Sequence, residues 1–243
     1  MASLRVRQIL LEVLAFDQPE PPAEGSTIWD RLCASAAKAV PVTGAGVALM
    51  TPRGHGGTLA ATDRSALALE DLQQTLGEGP CVNAFHDRRP VLQPDLAEAA
   101  SRWPGFTPGA LDAGVAAIFA FPLQVGAIRL GVLDLYRDTP GPLDALQLTE
   151  ALDYAAAATT IMLDLQQVTS AGELHPDLAD AADDHREIHQ ATGMITVQAA
   201  VTINEALLLL RARAYADGQR LRELAQEVVA RQVTFYPEDD HHE

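Results

Sequence analysis

Residues 185–236 constrain the fold more than any other stretch, because three helix-length apolar repeats follow one another there with breaks of only a few residues. Ile188, Ala191, Ile195 and Ala199 recur at helical spacing and predict a first helix. Thr202 with Glu205 three residues on has the form of a capping box, so a second helix starts there, with Ile203, Leu207, Leu210 and Ala214 facing inward. Asp217 and Gly218 stop it, since glycine takes the left-handed conformation that ends helices. Leu221, Leu224, Ala225, Val228 and Val229 make the third. Connections this short force the three to pack as neighbours around one small core.

The formal charge of the whole chain is −16, which argues against nucleic-acid binding because phosphate contacts supply most non-specific affinity. The excess lies outside the helical module. Within 185–236 the six arginines Arg186, Arg211, Arg213, Arg220, Arg222 and Arg231 meet five acids, a local balance of +1. Every base there is Arg, the side chain suited to forked phosphate contacts and to stacking on bases. On composition alone, solvated helix faces are the plainer reading.

The run Ile-His-Gln-Ala-Thr-Gly-Met-Ile at 188–195, with Glu205-Ala-Leu, Leu210-Arg-Ala, Ala214-Tyr and Val-Val-Ala-Arg at 228–231, resembles an ANTAR domain, an RNA-binding module of bacterial transcription antiterminators. The resemblance implies an RNA partner, a nascent mRNA leader with paired stem-loops whose protected fold keeps a terminator hairpin from forming. On that reading Arg211, Arg220 and Arg222 reach phosphate or guanine, and Tyr215 stacks on a base. Tyr215 follows Arg211 by four residues, which puts both on one helix face. Gln190 and Thr192 are first-helix contacts, and Gly193 permits close approach. Many ANTAR domains carry Lys where Thr192 stands, so one phosphate-binding charge is missing. Two other readings stay open: a DNA-binding helix-turn-helix regulator, for which Arg220 and Arg222 begin the reading helix, and a sensor whose helical tail recruits a protein partner.

Upstream, Leu4, Ile9, Leu11 and Leu14 predict a short amphipathic helix over 3–15, and Ser26 or Thr27 caps a second that runs to Val40. Residues 43–50 and 58–62 read as strands around a glycine-rich turn at 52–57, in which His55 is a surface loop residue. Helices follow at 65–76 and 80–87, then a brief strand at 90–92, and 95–103 with Pro104 and Pro108 reads as irregular or broken helix. Two strong strands, 115–123 and 129–136, are joined by a turn at 124–127. A long helix over 143–168 keeps an apolar stripe that either packs only on its own domain or, since it outlasts the domain, forms a dimer seam. The phrases Leu76-Gly-Glu-Gly-Pro-Cys81, Ala120-Phe-Pro-Leu123 and Leu130-Gly-Val-Leu-Asp-Leu-Tyr136 resemble a GAF domain. That resemblance implies a sensor with a small-molecule ligand beside a central sheet, and Cys81, Phe85, Phe119 and Phe121 are its pocket candidates.

The expected architecture is α+β: a GAF-like antiparallel sheet domain with flanking helices over 1–168, an acidic linker over 169–184, an ANTAR-like three-helix bundle over 185–236 and an acidic tail over 237–243. A homodimer is expected. The histidines are scattered and no nucleophile–base arrangement or phosphate-cradling loop is evident, so no enzyme is expected. Cys33 and Cys81 are too sparse for a disulfide framework or a cysteine-based zinc site and read as small buried hydrophobes; no metal and no cofactor is expected. No run of about 18 apolar residues and no signal-peptide layout occurs, which predicts no membrane span and a cytoplasmic protein.

Overall fold

The computed structural model describes residues 3–14, 26–51, 54–168 and 176–236. The chain divides into a unit over Met1–Ala181 and a second over Ala182–Glu243.

The first unit is built on a five-stranded antiparallel sheet in the order β2-β1-β5-β4-β3. Its strands are β1 (Gly44–Thr51), β2 (Gly54–Ala61), β3 (Val91–Gln93), β4 (Ala117–Val125) and β5 (Ile128–Arg137). On one face lie α1 (Leu4–Leu14), α2 (Ile28–Ala39) and α6 (Ala145–Val168), whose Trp29, Leu32 and Tyr154 pack against Val47, Phe121, Leu133 and Leu135. On the other lie α3 (Arg64–Leu76), α4 (Pro80–Asp87) and α5 (Phe106–Asp112), with Leu69, Cys81, Phe85 and Trp103 against Ala48, Ile118, Val132 and Tyr136.

Local chemistry sets the element ends. Thr27 caps α2 in a reciprocal box with Asp30. Asp63 caps α3 through Ala66 N–H, and Gly77 closes it at φ 62°, the left-handed conformation glycine tolerates best. Pro80 opens α4, where its missing N–H costs nothing. The helix α5 falls in a stretch read as irregular or broken helix from the sequence. Pro108 is its third residue, still within the first turn, where backbone N–H groups have no intrahelical partner anyway.

Two expectations are corrected here. In α1 the buried face is Val6, Ile9 and Val13, while Leu4 and Leu11 are 86% and 71% exposed. β2 begins at Gly54, so His55 is a buried strand residue and not a surface loop residue. The stretch expected as an acidic linker is described from Pro176 onward, where it forms the start of α7 (Pro176–Gln198). The acidic tail at 237–243 and residues 169–175 lie outside the described residues.

Candidate nucleic-acid interface

The second unit holds most of α7, with α8 (Ile203–Ala216) and α9 (Leu221–Val229), around a core of Ile188, Ala191, Ile195, Ala206, Leu210, Ala214, Leu221, Leu224, Ala225 and Val228. The capping box at Thr202 forms as expected: Glu205 N–H donates to the threonine oxygen, and Thr202 N–H donates to the Glu205 carboxylate. Gly218 turns the chain at φ 62°. The inward face of α8 is shifted from the expected one: Ala206 is buried, and Ile203 is half exposed.

This core decides what the candidate contact residues can reach. Gln190 and Gly193 face solvent, and no atom lies within 4 Å of where a Cβ on Gly193 would sit. Thr192 does not face solvent: it is 3% exposed, and its hydroxyl donates to Ile188 carbonyl at 2.6 Å, so its packing role replaces the contact expected of it. Tyr215 is 54% exposed. Arg222 points its Nε at Glu187 Oε2, 3.4 Å away, and Gln226 donates to the same oxygen, which ties α9 to α7. Arg220 is exposed at the N-cap of α9, and Arg213 pairs with Asp217 on its own helix. Arg211 differs from the rest. It is half-buried, its Nε is shut off from solvent without a hydrogen-bond partner, and burial alone pulls the guanidinium below its usual value.

In the first unit, the four pocket candidates do not line one cavity. Cys81 and Phe85 on α4 pack on the α3–α4–α5 side of the sheet, while Phe119 and Phe121, two residues apart on β4 and so on one face of it, point to the α1–α2–α6 side. What the α3–α4–α5 side does contain is a buried polar cluster: His55 on β2, Glu70 and Gln73 on α3, Cys81 on α4 and Asp134 on β5. His55 Nε2 lies 3.0 Å from Glu70 Oε2, Gln73 Nε2 donates to Asp134 Oδ2 at 2.8 Å, and Cys81 N–H donates to Gln73 Oε1 at 2.8 Å. Burial first, and the adjacent Glu70 second, push the Asp134 carboxyl well above the usual carboxylate range; burial raises Glu70 as well.

With both sites described, comparison with known families is decisive. The GAF domain model matches residues 26–164, more than half of the chain, and the ANTAR domain model matches residues 177–229. The chain belongs to the GAF family and carries an ANTAR domain at its C-terminus. No curated protein matches it. Among solved structures, the GAF domain of an Acinetobacter phosphoenolpyruvate-protein phosphotransferase is similar at 14% identity and a TM-score of 0.49, covering 69% of this chain and 98% of that one. The corresponding Coxiella burnetii domain is similar at 15% and 0.46, covering 68% and 95%. A domain of a putative two-component sensor histidine kinase from Sinorhizobium meliloti 1021 is similar at 15% and 0.44, covering 58% and 92%.

The GAF–ANTAR regulator thus has its Arg-rich surface in the ANTAR domain, as the sequence indicates. The polar cluster in the GAF domain was missed. Glu70 sits in a helix whose pattern reads as ordinarily amphipathic, and Asp134 sits in an otherwise apolar strand. That lone acid, inside Leu130–Tyr136, was the signal available. Among the described residues no single helix is long and apolar enough to cross a membrane.

Proposed function

We propose that this protein is an RNA-binding transcription antitermination regulator, not an enzyme, that acts in the cytoplasm as a homodimer. Its ANTAR domain reads paired stem-loops in a nascent mRNA leader, and its GAF domain tunes that binding in response to a small-molecule input. Two stem-loops and two protomers match each other, since linked weak contacts multiply.

Arg211 carries this reading. A buried N–H without an acceptor costs about 1–3 kcal/mol, and turning the half-buried guanidinium outward onto a phosphate or guanine oxygen would remove that cost only in the complex. Tyr215, one turn further along α8, offers an exposed ring for a splayed loop base. Gln190 and Arg220 are further exposed contacts. Arg222, paired with Glu187, is less available as a major-groove reader, which favours RNA over the helix-turn-helix reading.

The test is a gel-shift titration of the full chain with a paired stem-loop RNA, a loop-scrambled copy and duplex DNA across a salt series. Tight binding to the intact RNA alone is expected. Arg211→Ala should weaken it roughly 10–100-fold, the loss of a hydrogen bond to a charged partner, while circular dichroism stays unchanged. Equal binding of scrambled RNA or DNA, or no loss in a folded Arg211→Ala variant, would overturn the proposal.

A further inference from the structure

The buried cluster of the GAF domain contains donors for an ion. One ligand atom each from Glu70, Cys81 and Asp134 all lie within 4.8 Å of one another. Three donors bound at about 2.0–2.3 Å from one tetrahedral centre stand ~3.3–3.8 Å apart, so side-chain adjustments of up to about 1–1.5 Å bring the three into coordination range. All three residues are buried.

The surroundings orient these atoms. Gly57 N–H donates to His55 Nδ1 at 3.2 Å, so Nδ1 is the acceptor and Nε2–H is left to donate to Glu70 Oε2. Glu70 Oε2 is thereby held, and its other oxygen is turned toward β1, where a Cβ on Gly46 would sit 2.6 Å from it. Only glycine at 46 leaves that room, and Gly46 stands opposite Asp134 in the β1–β5 register. Gln73 fixes both remaining donors, donating to Asp134 Oδ2 and accepting from the Cys81 backbone. This is the outer arrangement that holds metal-binding carboxylates in place.

One atom is left over. Asp134 Oδ1 is shut off from solvent and receives no N–H or hydroxyl donor; what stands beside it is the Glu70 carboxyl, with which it can share one proton. Two enclosed carboxyls and a thiol held this close cannot all ionise without a cation among them. We propose that Glu70, Cys81 and Asp134 bind a divalent first-row transition metal ion of the zinc or ferrous class, with His55 and Gln73 as positioning residues. The donor set of one sulfur and two carboxylates suits such ions over magnesium or calcium, which take oxygen alone. A ligating thiolate must lose its proton. Each protonated donor releases its proton to solvent as the ion binds, and no electron is transferred. The inference stands apart from what the ANTAR domain binds.

Because the donors are enclosed, the ion enters as the domain folds. The experiment therefore supplies cobalt(II), a visible stand-in for zinc, while the full chain is expressed, and measures metal content and the near-ultraviolet spectrum of the purified protein. Stoichiometric cobalt with a thiolate-to-cobalt charge-transfer band is expected. Cys81→Ser should abolish the band, and Asp134→Asn should lower retained cobalt about tenfold or more. Cys33→Ala, which alters the buried cysteine on the opposite face of the sheet, should leave both unchanged. A folded wild-type protein without the band overturns the proposal, as does cobalt bound without it at surface histidines, or a band that survives Cys81→Ser. Should Asp134→Asn fail to fold, the wild-type and Cys81→Ser spectra decide.

Discussion

The two faces of the GAF sheet are made by alternate residues of the same strands, yet they are stabilised differently. Along β5, Leu133 and Leu135 enter the α1–α2–α6 side among Trp29, Leu32 and Tyr154. Val132, Asp134 and Tyr136 enter the α3–α4–α5 side, where Asp134 meets Gln73 and Tyr136 donates to Asp63. The first face is held by shape and apolar area. The second depends in addition on which groups carry protons and what they pair with. One strand can therefore serve as scaffold on one side and as responsive chemistry on the other, at a spacing of one residue.

Truncations on the apolar side break this comparison most severely. Trp29→Ala should cost about 3–5 kcal/mol, since the indole is fully enclosed between α2 and the sheet; a denaturant melt at neutral pH reads the loss, which should hold at any pH where the protein folds. Asp63→Ala is the matching change at the edge of the polar side. It removes the N-cap of α3 and the acceptor of Tyr136, at about 1 kcal/mol for the cap. Its pH dependence carries the sign. Burial works to raise the Asp63 carboxyl, but the hydrogen bonds from Ala66, Tyr136 and Thr62 outweigh it and hold the folded value below the ordinary one. Its contribution is thus fully present above the unfolded value of about 3.9 and lost as pH falls through the lower folded value. An acid titration of stability should show the wild type and Asp63→Ala converging at the bottom of that range. Glu70→Gln should be the mildest in metal-free protein, within about 1 kcal/mol, because an amide replaces a buried carboxyl of the same shape. In cobalt-loaded protein the same change should cost more, and equal melting temperatures in the two forms would erase the proposed distinction between the faces.

Much of the architecture was legible because it is written in local chemistry. Thr27 and the pair Thr202 with Glu205 announced their helices, Gly77 and Gly218 ended two, and Pro80 opened one. The apolar runs of β4 and β5 marked the central strands. The helix α1 shows where such reading fails. Two apolar stripes run along Leu4–Leu14, and the choice of Val6, Ile9 and Val13 as the buried one belongs to the partners α6 and α2, which no window of eleven residues contains. The Arg content of the ANTAR domain was likewise plain, whereas the difference between Arg211, with its orphaned Nε, and Arg222, paired across to α7, depends on neighbours distant in the chain.

The sequence by itself determined most of the helices and strands, their order, the α+β class and both family assignments, because capping, turn chemistry and apolar period act over a few residues. Only the tertiary structure brought His55, Glu70, Cys81 and Asp134 together. They lie on four elements with no ligand spacing in the chain. Their meeting follows from the β1–β5 register, the room left at Gly46, and the packing of α3 and α4 onto one face of the sheet. Contacts of that kind are set by how whole elements pack, and a linear pattern does not carry them.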